Sequence, residues 1–125
     1  MYTVAVRRDF RAYHYLIGDD WGKENKKHAH HYCLEVRLQG LELDKHGYLV
    51  DIVDIEKNVD KLIAHFKDHT LNELPEFSGI NPSIEHFSRI CCEYLSTHIN
   101  AAQVKTIMVT IWENETAWAR FRQEL

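Results

Sequence analysis

The chain has no surplus of basic residues. Its 15 Lys and Arg are outnumbered by 19 Asp and Glu, for a formal net charge of −4 over 125 residues. Nothing in that balance favours nucleic acid or an anionic membrane surface as a partner. No apolar run approaches the roughly 20 residues of a membrane-spanning helix, and the start, Met1-Tyr2-Thr3-Val4, lacks a signal-peptide pattern. Cysteine is sparse: Cys33, Cys91 and Cys92 form no Cys-x-x-Cys pair. An odd, unpatterned set argues against a disulfide framework and reads as reduced thiols, so a cytoplasmic location is expected. Internal repeats and low-complexity segments are also missing. With 45% hydrophobic and 27% charged residues, the composition is that of a soluble globular chain, and its length suits one domain spanning residues 1–125. What the chain does have is nine histidines, which calls for a test of metal binding or proton transfer.

The histidines concentrate in His28-Ala29-His30-His31-Tyr32, at the mouth of an alternating segment with apolar residues at Tyr32, Leu34, Val36 and Leu38. Alternation is the period of a half-buried strand, here from about 28 to 40. Residues two apart share a face, so His28 and His30 project side by side, roughly 6–7 Å apart, while His31 points the other way. Such a pair suits a tetrahedral metal that takes a further protein ligand from elsewhere. Histidines at a strand end also occur simply as solvated side chains, so the pair alone does not decide between the two.

Taken in order, Tyr2–Arg8 alternates and predicts a first strand, with Phe10–Leu16 leaving it. Residues 17–27 are polar, contain two glycines and read as a loop. Its length draws attention to function. Lys45-His46-Gly47 predicts a turn and Tyr48-Leu49-Val50 a short extended piece. From Asp54 the period becomes helical, with Ile55, Val59, Leu62, Ile63 and Phe66 on one face. Asp54 is the expected N-cap, Glu56 favours the helix dipole, and the helix should end near Lys67. Residues 68–82 form a connector. Asn81-Pro82-Ser83 predicts a second helix start, with Asn81 as cap, and Ile84, Phe87, Cys91, Tyr94 and Leu95 facing inward. Val104–Trp112 is rich in β-formers, and Ala117–Arg122 follows as a closing strand. Strand, strand, helix, helix, strand, strand argues an α+β domain, an antiparallel sheet with both helices on one face. The edges of such a sheet need cover, for which strand-mediated oligomerisation is one solution.

Several short patterns occur in a specific order: Phe10-x-Ala12-x-His14, His28-x-His30-x-Tyr32, Gly47-x-x-x-Asp51, Asp68-His69 followed by Leu71-Asn72, Asn81-Pro82-Ser83-x-Glu85, and Trp112-Glu113 with Trp118-Ala119 downstream. Over nearly its whole length the chain resembles the 6-pyruvoyl-tetrahydropterin synthase / 6-carboxytetrahydropterin synthase family. The resemblance implies the tunnelling fold, a four-stranded antiparallel sheet with two helices on one side. It also implies a homo-oligomer in which three subunits join their sheets into a barrel, two trimers stack as a hexamer, and active sites lie between subunits. It implies zinc held by His14, His28 and His30, where an open fourth position and Lewis acidity serve the substrate's side-chain oxygens. Glu113, rather than the nearby Glu115, takes the place of the carboxylate that anchors the pterin, whose ring N–H and exocyclic amine one carboxylate accepts together. Asp68 and His69 correspond to the pair that assists proton transfer.

The chain departs from the family pattern in several places. The commonest pattern has a cysteine four residues before the first histidine of His-x-His, acting as thiolate base; that position is Glu24. A buried glutamate can also be a base. Members with glutamate in this region, one residue closer to the histidines, cleave the same substrate's side chain to 6-hydroxymethyl-dihydropterin. The His-Gly-His of the family is His28-Ala29-His30 here. Only Thr70 separates His69 from Leu71 where the family has two residues, and Lys67 replaces a leucine. The expectation is a zinc-dependent enzyme acting on 7,8-dihydroneopterin triphosphate. Its product is 6-pyruvoyl-tetrahydropterin, 6-carboxytetrahydropterin (queuosine branch) or 6-hydroxymethyl-dihydropterin (folate branch), with Asp68, His69 and Glu24 catalytic. The alternative is a member that binds a pterin-like ligand with this chemistry altered or lost.

Overall fold

The alternating segments become strands and the helical-period segments become helices. In the computed structural model, which describes residues 1–125, the order is β1 (Tyr2–His14), β2 (His28–Gly40), α1 (Ile52–Phe66), α2 (Ile84–His98), β3 (Thr106–Trp112) and β4 (Trp118–Glu124). Short 3-10 turns lie at Gly22–Asn25, Leu71–Glu73 and Pro75–Phe77. The strands form one antiparallel sheet in the spatial order β1-β2-β3-β4, so β1 and β4 are its edges. This is the expected four-stranded α+β architecture.

Both helices cover one face. Val6, Phe10 and Ala12 of β1, Tyr32, Leu34, Val36 and Leu38 of β2, and Ile107, Val109 and Ile111 of β3 point to them. They pack with Ile55, Val59, Leu62 and Phe66 of α1 and Phe87, Cys91 and Leu95 of α2 in one core. Burying each large apolar side chain contributes on the order of 1.5–3 kcal/mol. The opposite face is mostly polar, with Met108 and Trp112 among its apolar residues. There Glu35, although buried, is held between Arg7 at 3.4 Å and Arg37 at 2.6 Å. Gly40 ends β2 where a side chain would collide with the Gln103 carbonyl and Leu49.

Four local expectations change. β1 does not stop near Arg8; it runs on to His14, because the long β2 offers it an in-register partner all the way. The cap of α1 is Asp51, whose side chain accepts from the Val53 N–H. Asp54 instead lies inside the helix and accepts from the Asn100 N–H at 3.1 Å. The cap of α2 is Ser83, accepting from His86 N–H at 3.1 Å, and Asn81 is engaged elsewhere. Tyr48-Leu49-Val50 forms no strand; Leu49 and Val50 plug the core behind a turn held by Asp44.

The outer edge of β1 acquires a partner at its end. The Asp68 N–H donates to the Arg11 carbonyl at 2.7 Å, the Tyr13 N–H donates to the His69 carbonyl at 2.9 Å, and Thr70 makes a parallel bridge with Tyr13.

Candidate metal centre

The β1–β2 register sets His14 opposite His28 and Ala12 opposite His30. Cross-strand partners share a face, as do residues two apart. The three imidazoles therefore converge on the helix-covered face at one end of the sheet, with ring centroids 4.4–4.8 Å apart. Glu24 completes the group: one ligand atom from each of His14, Glu24, His28 and His30 lies within 4.8 Å of the others. The Glu24 carboxylate is 2.9 Å from His28 Nε2, which is 3.0 Å from His30 Nε2.

The outward nitrogens have partners of their own. His28 Nδ1 donates to the Lys26 carbonyl at 2.7 Å, and His14 Nδ1 lies 2.9 Å from the Tyr32 hydroxyl. Nδ1 donation leaves the His28 Nε2 lone pair facing the cluster. Tetrahedral zinc with bonds of about 2.0–2.1 Å separates its ligand nitrogens by about 3.3 Å, close to the 3.0 Å between these two. The donor set and its spacing fit zinc. His14 is pushed down to about 4, first by burial and then by the neighbouring His30 and His28, with the Pro82 carbonyl opposing. It is therefore neutral near pH 7, as a metal ligand must be.

Glu24 reaches the cluster because the loop that carries it is tied to the exit of β1. The Leu16 N–H donates to the Glu24 carbonyl at 2.7 Å, and the Asn25 side chain donates to the Leu16 carbonyl at 3.1 Å. On either side of Leu16, two asparagines each bind both backbone groups of one residue. Asn72 accepts from Tyr15 N–H at 3.0 Å and donates to its carbonyl at 2.8 Å. Asn81 does the same for Ile17, at 2.6 and 3.0 Å.

Glu113 follows the last β2–β3 pair, Cys33 with Trp112. One further register step puts it beside Tyr32, on the face of the imidazoles. The charges of Glu113 and Glu24 both act on the buried Tyr32 phenol, which is held above its ordinary value first by burial and then by these two carboxylates. Glu115 is exposed in the β3–β4 turn. A cleft of about 880 Å³ borders Glu113 from the helix-free side, lined by Arg7, Asp9, His31, Cys33 and Trp112 among others.

Asp68 and His69 do not join the group. Both are exposed on the outer edge of β1. Asp68 has φ +60° and lies 3.5 Å from Arg11, and His69 Nδ1 donates to the Lys67 carbonyl at 2.8 Å. The fold thus gathers His14, His28, His30 and Glu24, sets Glu113 alongside, and leaves Asp68 and His69 apart. Sequence reasoning gave no site role to Tyr32, Asn72 or Asn81. Tyr32 sits two residues after His30 on the same strand face, a spacing that could have flagged it; the asparagines gave only their place in short motifs.

The model of the family described as 6-pyruvoyl tetrahydropterin synthase matches residues 3–124. An Archaeoglobus fulgidus protein provisionally assigned as 6-carboxy-5,6,7,8-tetrahydropterin synthase is 30% identical over 122 residues, 96% of this chain and 95% of the relative. The dihydroneopterin monophosphate aldolase of Pyrococcus furiosus is 26% identical over 110 residues, 88% of each chain. Among solved structures, the Plasmodium vivax 6-pyruvoyltetrahydropterin synthase, in a variant with alanine at a catalytic glutamate, superposes with a TM-score of 0.83 at 16% identity, over 99% of this chain and 98% of that one. The likeness in structure is one of fold.

Proposed function

This chain belongs to the 6-pyruvoyl tetrahydropterin synthase family, and on that premise we propose that it is a zinc-dependent enzyme acting on the side chain of 7,8-dihydroneopterin triphosphate, which it cleaves to 6-hydroxymethyl-dihydropterin. The observation that carries this reading is Glu24, with its carboxylate among the three imidazoles and 2.9 Å from His28 Nε2. His14, His28 and His30 would hold the metal. A zinc ion bound there supplies Lewis acidity toward the side-chain oxygens. Glu113 accepts from the ring N–H and exocyclic amine of the pterin and so orients the ring. Glu24 takes the proton from the hydroxyl on the second side-chain carbon. The bond between the first and second carbons breaks, its electron pair passes into the ring C=N, and the first carbon takes up a proton. The products are 6-hydroxymethyl-dihydropterin and glycolaldehyde triphosphate. An aldolase acting on a related pterin among the relatives agrees with this class of cleavage.

Asp68 and His69 serve proton transfer in a neighbouring subunit's site, since they lie on the outer edge of β1 and away from their own chain's cluster. That role requires a homo-oligomer, a trimer or hexamer on the family pattern. No helix is long and apolar enough to cross a membrane. The same separation of Asp68 and His69 favours a second reading, a family member that binds a pterin without converting it. Incubation with 7,8-dihydroneopterin triphosphate and mass analysis of the products decides between them. The expected result is 6-hydroxymethyl-dihydropterin with wild type and none with Glu24→Ala. Tight binding without conversion would establish the second reading, and cleavage that survives Glu24→Ala would remove Glu24 as the base.

A further inference from the structure

We propose that Tyr32 is a positioning residue for the metal centre: its buried hydroxyl holds His14 in the tautomer that turns Nε2 to the metal. The inference rests on the zinc reading above and adds a residue to it. Tyr32 is fully buried, with 0% of its surface exposed. Its ring is packed by Phe10 and Phe87, with centroids 5.5 and 5.3 Å away. The ring thus has little freedom to move its hydroxyl, whose hydrogen-bond partner is His14 Nδ1 at 2.9 Å.

A neutral imidazole carries one proton, on Nδ1 or on Nε2. If the phenol donates to Nδ1, the proton is on Nε2 and that nitrogen cannot bind a metal. If Nδ1 carries the proton, it donates to the phenol oxygen and Nε2 presents a bare lone pair. The buried phenol oxygen, fixed 2.9 Å from Nδ1, is positioned to accept in the second arrangement. In that arrangement the carboxylates whose charge acts on the phenol are Glu113 and Glu24. His28 has the equivalent arrangement through a different acceptor, its Nδ1 bonding the Lys26 carbonyl at 2.7 Å. A ligand histidine whose second nitrogen is held this way is aligned before the metal arrives, and loss of such a partner typically weakens metal binding by about 10–100-fold.

The test compares Tyr32→Phe, which removes only the hydroxyl, with Phe10→Leu, which loosens the same aromatic packing and leaves the hydroxyl in place. Zinc affinity is measured by chelator competition, and the melting temperature of each metal-free protein is recorded. Tyr32→Phe should weaken zinc binding about 10–100-fold, while Phe10→Leu should lower the melting temperature and leave zinc affinity at the wild-type value. In the zinc-loaded wild type, nitrogen NMR of the imidazoles should show the His14 proton on Nδ1. Unchanged zinc affinity in Tyr32→Phe would overturn the proposal. Equal weakening by both substitutions would reduce Tyr32 to packing and overturn it as well. Wild-type protein that binds no zinc would instead remove the metal reading itself, an outcome distinct from failure of the Tyr32 role.

Discussion

The two sides of the end of β1 differ in what they assemble. On its inner side β1 pairs with β2, and the register alone brings His14 against His28 and sets His30 one step away, opposite Ala12. On its outer side it pairs with residues 68–70, through the Arg11 carbonyl and the Tyr13 N–H. That pairing has two backbone hydrogen bonds, and it holds Asp68 and His69 exposed and away from the imidazoles. The inner side, with the loop that carries Glu24, gathers three imidazoles and a carboxylate within one chain; the outer side leaves its two polar side chains apart from them. The lesson is that backbone pairing decides which side chains can act together, and that being adjacent in sequence, as Asp68 and His69 are, does not.

The largest effect should come from breaking the inner side. His28→Ala is expected to abolish stoichiometric zinc, measured by metal analysis, and to lower turnover by more than about 1,000-fold, since a Lewis acid supplies several kcal/mol of transition-state stabilisation. A zinc-replete His28→Ala protein would falsify the ligand assignment. Breaking the outer side should be milder and of another kind. His69→Ala should leave zinc content unchanged and lower turnover by about 100–10,000-fold, the usual range for a positioned acid or base. Mixed oligomers of His69→Ala and Glu24→Ala chains should recover activity if each site draws on two subunits; no recovery would confine the site to one chain.

The smallest effect is a pH dependence that belongs to the inner side. Folding holds His14 near 4 against an ordinary value of 6.5. Below pH 6.5 the unfolded chain binds a proton that the folded chain refuses, so stability rises with pH between about 4 and 6.5. Metal-free protein should therefore melt progressively lower as pH falls through that window. His14→Gln should flatten the slope; an unchanged slope would assign it to other groups.

Much of this was legible without the structure. β2 runs from 28 to 40 as its alternation predicts, because one face is buried and a slip by one residue would expose every apolar side chain. Glu24 and the histidines at 14, 28 and 30 could be singled out through the family resemblance, and the fold brings the four together. The misreadings share one cause, that local signals are degenerate. Asp51 and Asp54 both resemble caps, as do Asn81 and Ser83, and only packing decides which one meets the free N–H groups. Asn81, the better cap by sequence, is instead turned toward Ile17 across 64 positions of chain.

The sequence by itself determined the periods, and with them the strands, the helices and the placing of His28 and His30 on one face. Those follow from backbone geometry over a few residues. Only the tertiary structure decided that β1 extends to His14, that Glu24 folds back to His28, that the Tyr32 hydroxyl meets His14 Nδ1, and that Asp68 and His69 face outward. Each of these depends on a register or a loop closure between distant segments, where the energy lies in contacts that no local stretch of chain contains.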